Sequence, residues 1–227
     1  MNARRARWTA ALVAATACAG TPAGRAPAPQ PAAVADLEAL YQARTDSARL
    51  RFTEADVRFM AGMIAHHAQA LVMAALAPTN RAGPSIQTLA ARIINAQHDE
   101  IATMQRWLRD RGRPAPEVHI DGTRLMLHGP GEHGMHMPGM LTPEQLGELE
   151  AARGEEFDRL FLTFMIQHHH GAVTMVHDLF AADGAAEDEE AFKLASDIQV
   201  DQLTEIARMQ RMLDALGNEL SSSATNR

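Results

Sequence analysis

Two residue types that bind soft metal ions are unusually common in this chain. Its 227 residues include 13 methionines and 11 histidines, against one cysteine and one tyrosine. A methionine thioether is a soft ligand that selects monovalent copper, whereas imidazole binds copper in both oxidation states. The composition therefore indicates copper, Cu(I) or Cu(II), as the metal ion that this chain would bind.

The most informative histidines occur as adjacent pairs within a repeated motif. The segment FMAGMIAHHAQALV at 59–72 recurs as FLTFMIQHHHGAVT at 161–174, with Phe, Met-Ile and His-His in register. On a helix, the spacing places a methionine beside each histidine pair. The candidate metal ligands of these two segments are Met63, His66, His67, Met165, His168 and His169.

A second repeated segment supplies carboxylates and further thioethers. The stretch QHDEIATMQRWL at 97–108 recurs as QLTEIARMQRML at 202–213, and in each copy Gln, Glu and Met share one helical face. The additional candidate ligands are Glu100, Met104, Glu205 and Met209. An alternative is that the methionines are core fillers and that the glutamates are hydrogen-bond partners of buried histidines.

A third concentration of histidine and methionine lies between the repeats. Residues 113–141 carry proline, glycine and charge without periodicity, which predicts a long connection with no secondary structure of its own. The candidate ligands here are His133, Met135, His136, Met137 and Met140, and the same connection contains His119, Met126 and His128. The alternative is a mobile, oxidation-prone loop in which these residues are incidental.

The elements that must position these residues are helices. Apolar residues in each repeated segment recur at spacings of three and four, and β-branched alternation is absent. The segments recur in the same order, which indicates a helical hairpin used twice and an all-α, four-helix bundle. The predicted helices span about 53–77, 85–111, 143–182 and 187–216, with a leading helix near 34–50.

The start of the chain has the pattern of an export signal. Arginines precede a short apolar run that ends at Cys18, the only cysteine, so residues 1–17 are predicted to be a signal peptide, most simply of the lipoprotein type. A plain signal peptide is the alternative. Residues 18–35 are predicted to be a Pro/Ala-rich tether, 36–217 the helical domain and 218–227 a disordered tail. We therefore expect an extracytoplasmic protein whose membrane contact is a lipid anchor on Cys18 alone.

These motifs together resemble a bacterial family known as domain of unknown function 305. The resemblance rests on the segments at 59–74, 93–108, 161–176 and 198–213 and covers about residues 53–217. It implies a ferritin-like four-helix bundle, export and an association with copper. It also implies metal handling by the paired histidines and their methionines, with a Gln-x-x-Glu-Ile element at Gln97, Glu100, Gln202 and Glu205.

The sequence thus predicts a copper-binding protein that sequesters or carries copper without chemical turnover. Expected partners are copper ions and another envelope copper protein, and the net charge of -7 argues against nucleic acid. One alternative is a ferritin-like oxidase, but neither 97–100 nor 202–205 provides the Glu-x-x-His motif of di-iron bundles. The other is a helical interaction module that binds no metal.

Overall fold

The computed structural model describes residues 31–49, 51–129 and 137–225, and in these ranges it contains six helices and one β-hairpin. The protein is mostly helical, as predicted. The elements are α1 (Pro31–Arg49), α2 (Glu54–Ala75), α3 (Pro84–Asp110), β1 (Glu117–Asp121), β2 (Arg124–His128), α4 (Pro143–Ala151), α5 (Glu155–Ala181) and α6 (Glu189–Thr225). In the described ranges, no helix combines the length and apolarity needed to cross a membrane. The predicted signal peptide and Cys18 lie outside them.

The chain divides into two compact units, residues 1–41 and 42–227. The described part of the first unit is the beginning of α1, which starts at Pro31. The predicted tether at 18–35 therefore ends earlier than expected, because proline at the first helical position and the alanines after it favour a helix. The second unit contains the remaining elements.

Helix α2, which carries the first histidine pair, begins at a capping box. The Thr53 hydroxyl accepts hydrogen bonds from the backbone N–H groups of Ala55 and Asp56, and an Asp56 carboxylate oxygen accepts from the Thr53 N–H at 2.7 Å. The other Asp56 oxygen accepts from the Ala186 N–H at 2.7 Å. This carboxylate therefore fixes the start of α2 and ties it to the turn between α5 and α6.

Each histidine motif is preceded, three residues before its phenylalanine, by an aspartate: Asp56 in the first repeat and Asp158 in the second. The second aspartate makes a hydrogen bond equivalent to that of the first. Asp158 on α5 accepts from the Gly83 N–H, at 3.1 and 3.0 Å to its two oxygens, in the turn between α2 and α3. Burial raises the pKa of Asp158, and the hydrogen bond from the Gly83 N–H has the smaller, opposite effect of lowering it. Each helix pair is thus bonded to the turn of the other pair.

The core lies among the four long helices. Helix α2 packs on α3, α5 packs on α6, and α2 also packs on α5. Two apolar clusters fill these contacts, one around Phe157 and Phe161 and the other around Met60 and Trp107. The predicted helices at 53–77 and 85–111 agree with α2 and α3.

The predicted single helix at 143–182 is wrong, because the chain breaks between α4 and α5. Gly154 has a φ of 59°, and its N–H donates to the Asn80 carbonyl at 2.9 Å. The Asn80 side chain in turn donates to the carbonyls of Leu149, Glu150 and Ala152 at 3.0–3.1 Å. The end of α4 is therefore capped by a residue far away in sequence, which no local pattern reveals.

The predicted end of the last helix at residue 216, just before Gly217, is also wrong. Helix α6 continues to Thr225, so most of the predicted disordered tail at 218–227 is helical. Gly217 is not among the described glycines with positive φ, the conformation that ends many helices. A glycine inside a helix costs only about 1 kcal/mol relative to alanine, which the surrounding turns can offset.

The connection at 113–141, predicted to lack secondary structure, contains an antiparallel hairpin. Strand β1 pairs with β2 from Glu117↔His128 to Asp121↔Arg124. Gly122, with a φ of 62°, allows the tight turn. Val118 and Ile120 pack against the core cluster around Trp107. The alternation of apolar and polar residues at 117–121 was the available sequence signal for this strand.

Candidate metal centre

The two predicted histidine pairs meet in the interior between α2 and α5. His66, His67, His168 and His169 are all fully buried. The ring centroids of His66 and His168 lie 3.9 Å apart, with the ring planes at 38°. The His67 ring lies 6.5 Å from His66, and the His169 ring lies 6.3 Å from His168. The four imidazoles therefore form one group with a close central pair.

The two outer histidines are each held by a carboxylate of the neighbouring helix. His67 Nε2 lies 2.6 Å from Glu100 Oε2, and His169 Nε2 lies 2.7 Å from Glu205 Oε2. When Nε2–H donates to the carboxylate, the neutral ring carries its free lone pair on Nδ1. The predicted glutamates thus contact the histidines directly, as hydrogen-bond partners that orient the rings.

The central histidine of α2 is held by the segment at 137–141. His66 Nε2 donates to the Pro138 carbonyl at 3.0 Å. The Gln69 side chain donates to the Leu141 carbonyl at 3.1 Å and accepts from the Leu141 N–H at 2.8 Å. A Cβ at Gly171 would lie 1.9 Å from the Pro138 oxygen, so this segment rests on the backbone of α5. The segment is therefore fixed against both histidine-bearing helices.

Several buried polar atoms of this region have no hydrogen-bond partner within the described ranges. They are Nδ1 of His66, His67 and His169, both ring nitrogens of His168, both amide atoms of Gln97, and Oε1 of Gln202. Buried polar groups are normally paired, because an unpaired one costs roughly 1–3 kcal/mol. A cation that accepts lone pairs would compensate the unpaired imidazoles, so these residues fit a metal ligand set.

The central pair is neutral in the folded protein. Burial, with a smaller effect from His67, lowers the pKa of His66 from 6.5 to about 3. Burial and the neighbouring His66 lower the pKa of His168 well below 6.5. Since metal ions bind neutral imidazole, both rings are in the binding form at neutral pH.

An acidic residue that the sequence did not single out lies close to this region. Burial raises the pKa of Asp201, and the neighbouring Glu100 and Glu205 raise it further. Asp201 precedes Gln202 in the second repeat, and its counterpart in the first repeat is Ala96. Its proximity to both glutamates gives the outer edge of the centre a negative field, which favours cations.

The four predicted helical methionines lie in the hydrophobic core. Met63 and Met104 are fully buried in the cluster around Trp107. Met165 and Met209 are fully buried in the cluster around Phe157. Their packing role is clear from these contacts, and their role as metal ligands stays a prediction.

The methionines of the connection lie in two places. Met137 and Met175 approach each other over Gly62, where a Cβ would lie 3.3 Å from Met137 Sδ and 3.4 Å from Met175 Cε. They line a surface cavity of about 290 Å³, one helical turn from His66. Met140 lines a different cavity, of about 450 Å³. His133, Met135 and His136 lie outside the described residues.

Within the described ranges, no three His, Cys, Asp or Glu side chains are close enough together to hold a metal ion as they stand. The close contact is between two imidazoles only. A ligand set larger than these two imidazoles would add His67, His169 or a thioether.

The DUF305 family model, described as a domain of unknown function, matches residues 56–213. Solved structures are also similar to this chain. The "putative secreted protein DUF305" of Streptomyces coelicolor is 26% identical, with a TM-score of 0.59 over 72% of this chain and 92% of that one. A DUF305 fragment from Deinococcus radiodurans is 31% identical, with a TM-score of 0.59 over 72% of this chain and 98% of the fragment.

CopM is similar in both of its copper-bound forms. The Cu(II)-bound form is 31% identical, with a TM-score of 0.52 over 69% of this chain and 94% of CopM. The Cu(I)-bound form is 29% identical, with a TM-score of 0.52 over 70% and 96%. None of the curated proteins compared with this sequence matches it.

Proposed function

This chain belongs to the DUF305 family, and from that premise we propose that it is an extracytoplasmic copper-binding protein that sequesters or carries copper without chemical turnover. The observation that carries the proposal is the buried contact between the rings of His66 and His168. In the described ranges, His66 Nδ1 and both ring nitrogens of His168 lack hydrogen bonds of normal geometry. The similarity to CopM, which binds both Cu(I) and Cu(II), supports copper as the ion.

Each part of the centre has a role in this proposal. His66 and His168 are the central ligands, and His67 and His169 supply further imidazoles through Nδ1. Glu100 and Glu205 hold the outer rings from behind, an arrangement that raises the basicity of a ligating histidine. The methionine sulfurs add soft donors, which favour Cu(I) over harder cations.

The position of Met137 and Met175 suggests how copper reaches the buried histidines. Both thioethers line a surface cavity one helical turn from His66. Thioethers bind Cu(I) without the need to lose a proton. In the proposal, this methionine pair receives the ion from solvent, or from another envelope copper protein, and passes it inward.

The architecture and location that accompany this function are also proposals. A ferritin-like four-helix bundle of α2, α3, α5 and α6, built from a duplicated hairpin, is supported by the matching contacts of Asp56 and Asp158. Export is supported by the name of the Streptomyces relative. A lipid anchor on Cys18 rests on the sequence signal alone.

The test is a copper titration of the purified mature protein, with Cu(I) and Cu(II) in competition with a chelator of known affinity. We expect binding tighter than micromolar, and its loss in a variant that combines His66→Leu with His168→Leu. A matched control carries His98→Gln and His177→Gln. His98 is exposed on α3, and His177 is exposed on α5. Wild-type binding no tighter than micromolar would reject the proposal.

A further inference from the structure

We propose a second copper site on the outer face of the β-hairpin, formed by His119, Met126 and His128. The inference rests on the proposed function for the identity of the ion. It uses none of the histidines of the helices, so the two sites can be tested separately.

The strand register brings these three residues together. His119 on β1 is the direct partner of Met126 on β2. Met126 and His128 are alternate residues of one strand, so they project from the same face as His119. Directly opposed residues have Cβ atoms about 4.5–5.5 Å apart, and diagonal neighbours about 7–8 Å. Side chains as long as histidine and methionine can therefore meet at one ion between them.

This face is the more exposed of the two faces of the hairpin. Val118 and Ile120 on the opposite face pack against the core cluster around Trp107. Their register partners Leu127 and Leu125 complete that apolar face. On the outer face His119 and His128 are exposed, and Met126 is half-buried.

Packing does not explain the two exposed histidines of the outer face. Solvent-facing strand positions require no imidazole for stability, because threonine or a charged residue serves there. Here one directly opposed pair and its strand neighbour are all soft or borderline metal ligands. The inner face, by contrast, has the branched aliphatic residues that a packed strand surface favours.

Two imidazoles and one thioether suit copper in either oxidation state. The nitrogens serve Cu(II) and Cu(I), and the sulfur favours Cu(I). Glu117 faces His128 across the same pair of strands and adds a negative charge beside the site. Met126 and His128 also line the cavity that contains Met140, which places another thioether nearby. Because this site is exposed, it exchanges its ion faster than the buried centre does.

The experiment compares copper stoichiometry in variants of the mature chain. The hairpin variant carries His119→Gln, Met126→Leu and His128→Gln, which keep the size and the strand register. We expect it to bind one copper equivalent fewer than the wild type, through loss of the weaker site. The variant with His66→Leu and His168→Leu should retain that weaker equivalent, and the His98→Gln/His177→Gln control should match the wild type.

A second readout locates the ion. Cu(II) is paramagnetic, so in the His66→Leu/His168→Leu variant, which lacks the tighter site, a substoichiometric amount should broaden the NMR signals of the His119 and His128 rings. Unchanged stoichiometry and affinity in a folded hairpin variant would overturn the inference and leave the proposed function intact. A wild-type protein that binds no copper would overturn both.

Discussion

His168 is one of the described residues whose burial is not matched by hydrogen bonding. It is fully buried, and within the described ranges neither of its ring nitrogens makes a hydrogen bond of normal geometry. His169, its neighbour, has the same burial but is bonded to Glu205 at 2.7 Å. Stability alone would favour an apolar residue at position 168, so a function is the better explanation of this imidazole.

We expect His168→Leu to stabilise the copper-free protein by about 1–2 kcal/mol, because it removes unpaired polar atoms from the buried interior. The matched variant His169→Leu should destabilise it by about 1–3 kcal/mol, because Glu205 loses its partner. Urea unfolding of the two variants measures both changes. Destabilisation of equal size in the two would show that His168 has a structural role.

The central histidines also predict how stability depends on pH. In the unfolded chain both take up a proton as the pH falls through about 6.5, whereas the folded protein resists protonation. The pKa of His66 is lowered to about 3, and that of His168 is lowered well below 6.5. The unfolded state therefore binds more protons below pH 6.5. The free energy of unfolding is highest above that pH and falls below it, by up to about 1.4 kcal/mol per pH unit for each group.

Urea unfolding of the copper-free protein at pH 7.5, 6 and 5 measures this slope. His168→Leu removes one of the two groups, so its stability should decline less steeply with falling pH than that of the wild type. Parallel declines in the two proteins would contradict the assignment of the slope to the buried pair.

At the scale of elements, the segment at 137–141 depends on a close approach of two glycines. A Cβ at Gly171 would lie 1.9 Å from the Pro138 oxygen, and one at Gly139 would lie 2.6 Å from the Gln167 oxygen. This contact places the Pro138 carbonyl where His66 donates to it. The glycine after the second histidine run therefore lets a connecting segment reach the centre.

We expect Gly171→Ala to displace this segment and to destabilise the protein by about 1–3 kcal/mol, as overpacking typically does. It should also weaken copper binding, because His66 loses its hydrogen-bond partner. The control is Gly147→Ala on α4, where a Cβ has no neighbour within 4 Å. That variant should be neutral or stabilising by up to about 1 kcal/mol. Thermal unfolding and copper titration measure both effects, and equal stability of the two variants would contradict the expectation.

The accuracy with which the sequence predicts an element differs from one element to another, and the reasons are physical. Helices α2 and α3 follow from local periodicity and capping, and their bounds agree closely with the prediction. The break before α5 depends on Asn80, a long-range contact that local patterns do not contain. The hairpin was missed because its strands are short and glycine and proline surround them, although their alternation was visible.

At the scale of the whole molecule, two carboxylates join the helix pairs. Asp56 bonds to the turn before α6, and Asp158 bonds to the turn before α3. The paired histidines were predictable from the repeat because the same residues occupy the same place in both copies. The sequence predicted that the two pairs would lie near each other, but not that His66 and His168 would be in contact. The 3.9 Å distance between their rings depends on how α2 and α5 pack.

A double-mutant cycle tests the tie at Asp158. A Cβ at Gly83 would lie 2.8 Å from Asp158 Oδ2, so Gly83→Ala should destabilise the wild type. The same substitution should cost at least about 1 kcal/mol less in an Asp158→Ala background, where the clash and the hydrogen bonds are absent. Additive effects in urea unfolding would show that the two residues do not interact.

The central claim is that the buried histidines hold copper. Anomalous diffraction at the copper absorption edge, from crystals of the copper-loaded protein, tests it most directly. We predict a copper peak within coordination distance of ring nitrogens of both His66 and His168. Copper peaks confined to the surface, with the two rings still in their 3.9 Å contact, would contradict the account.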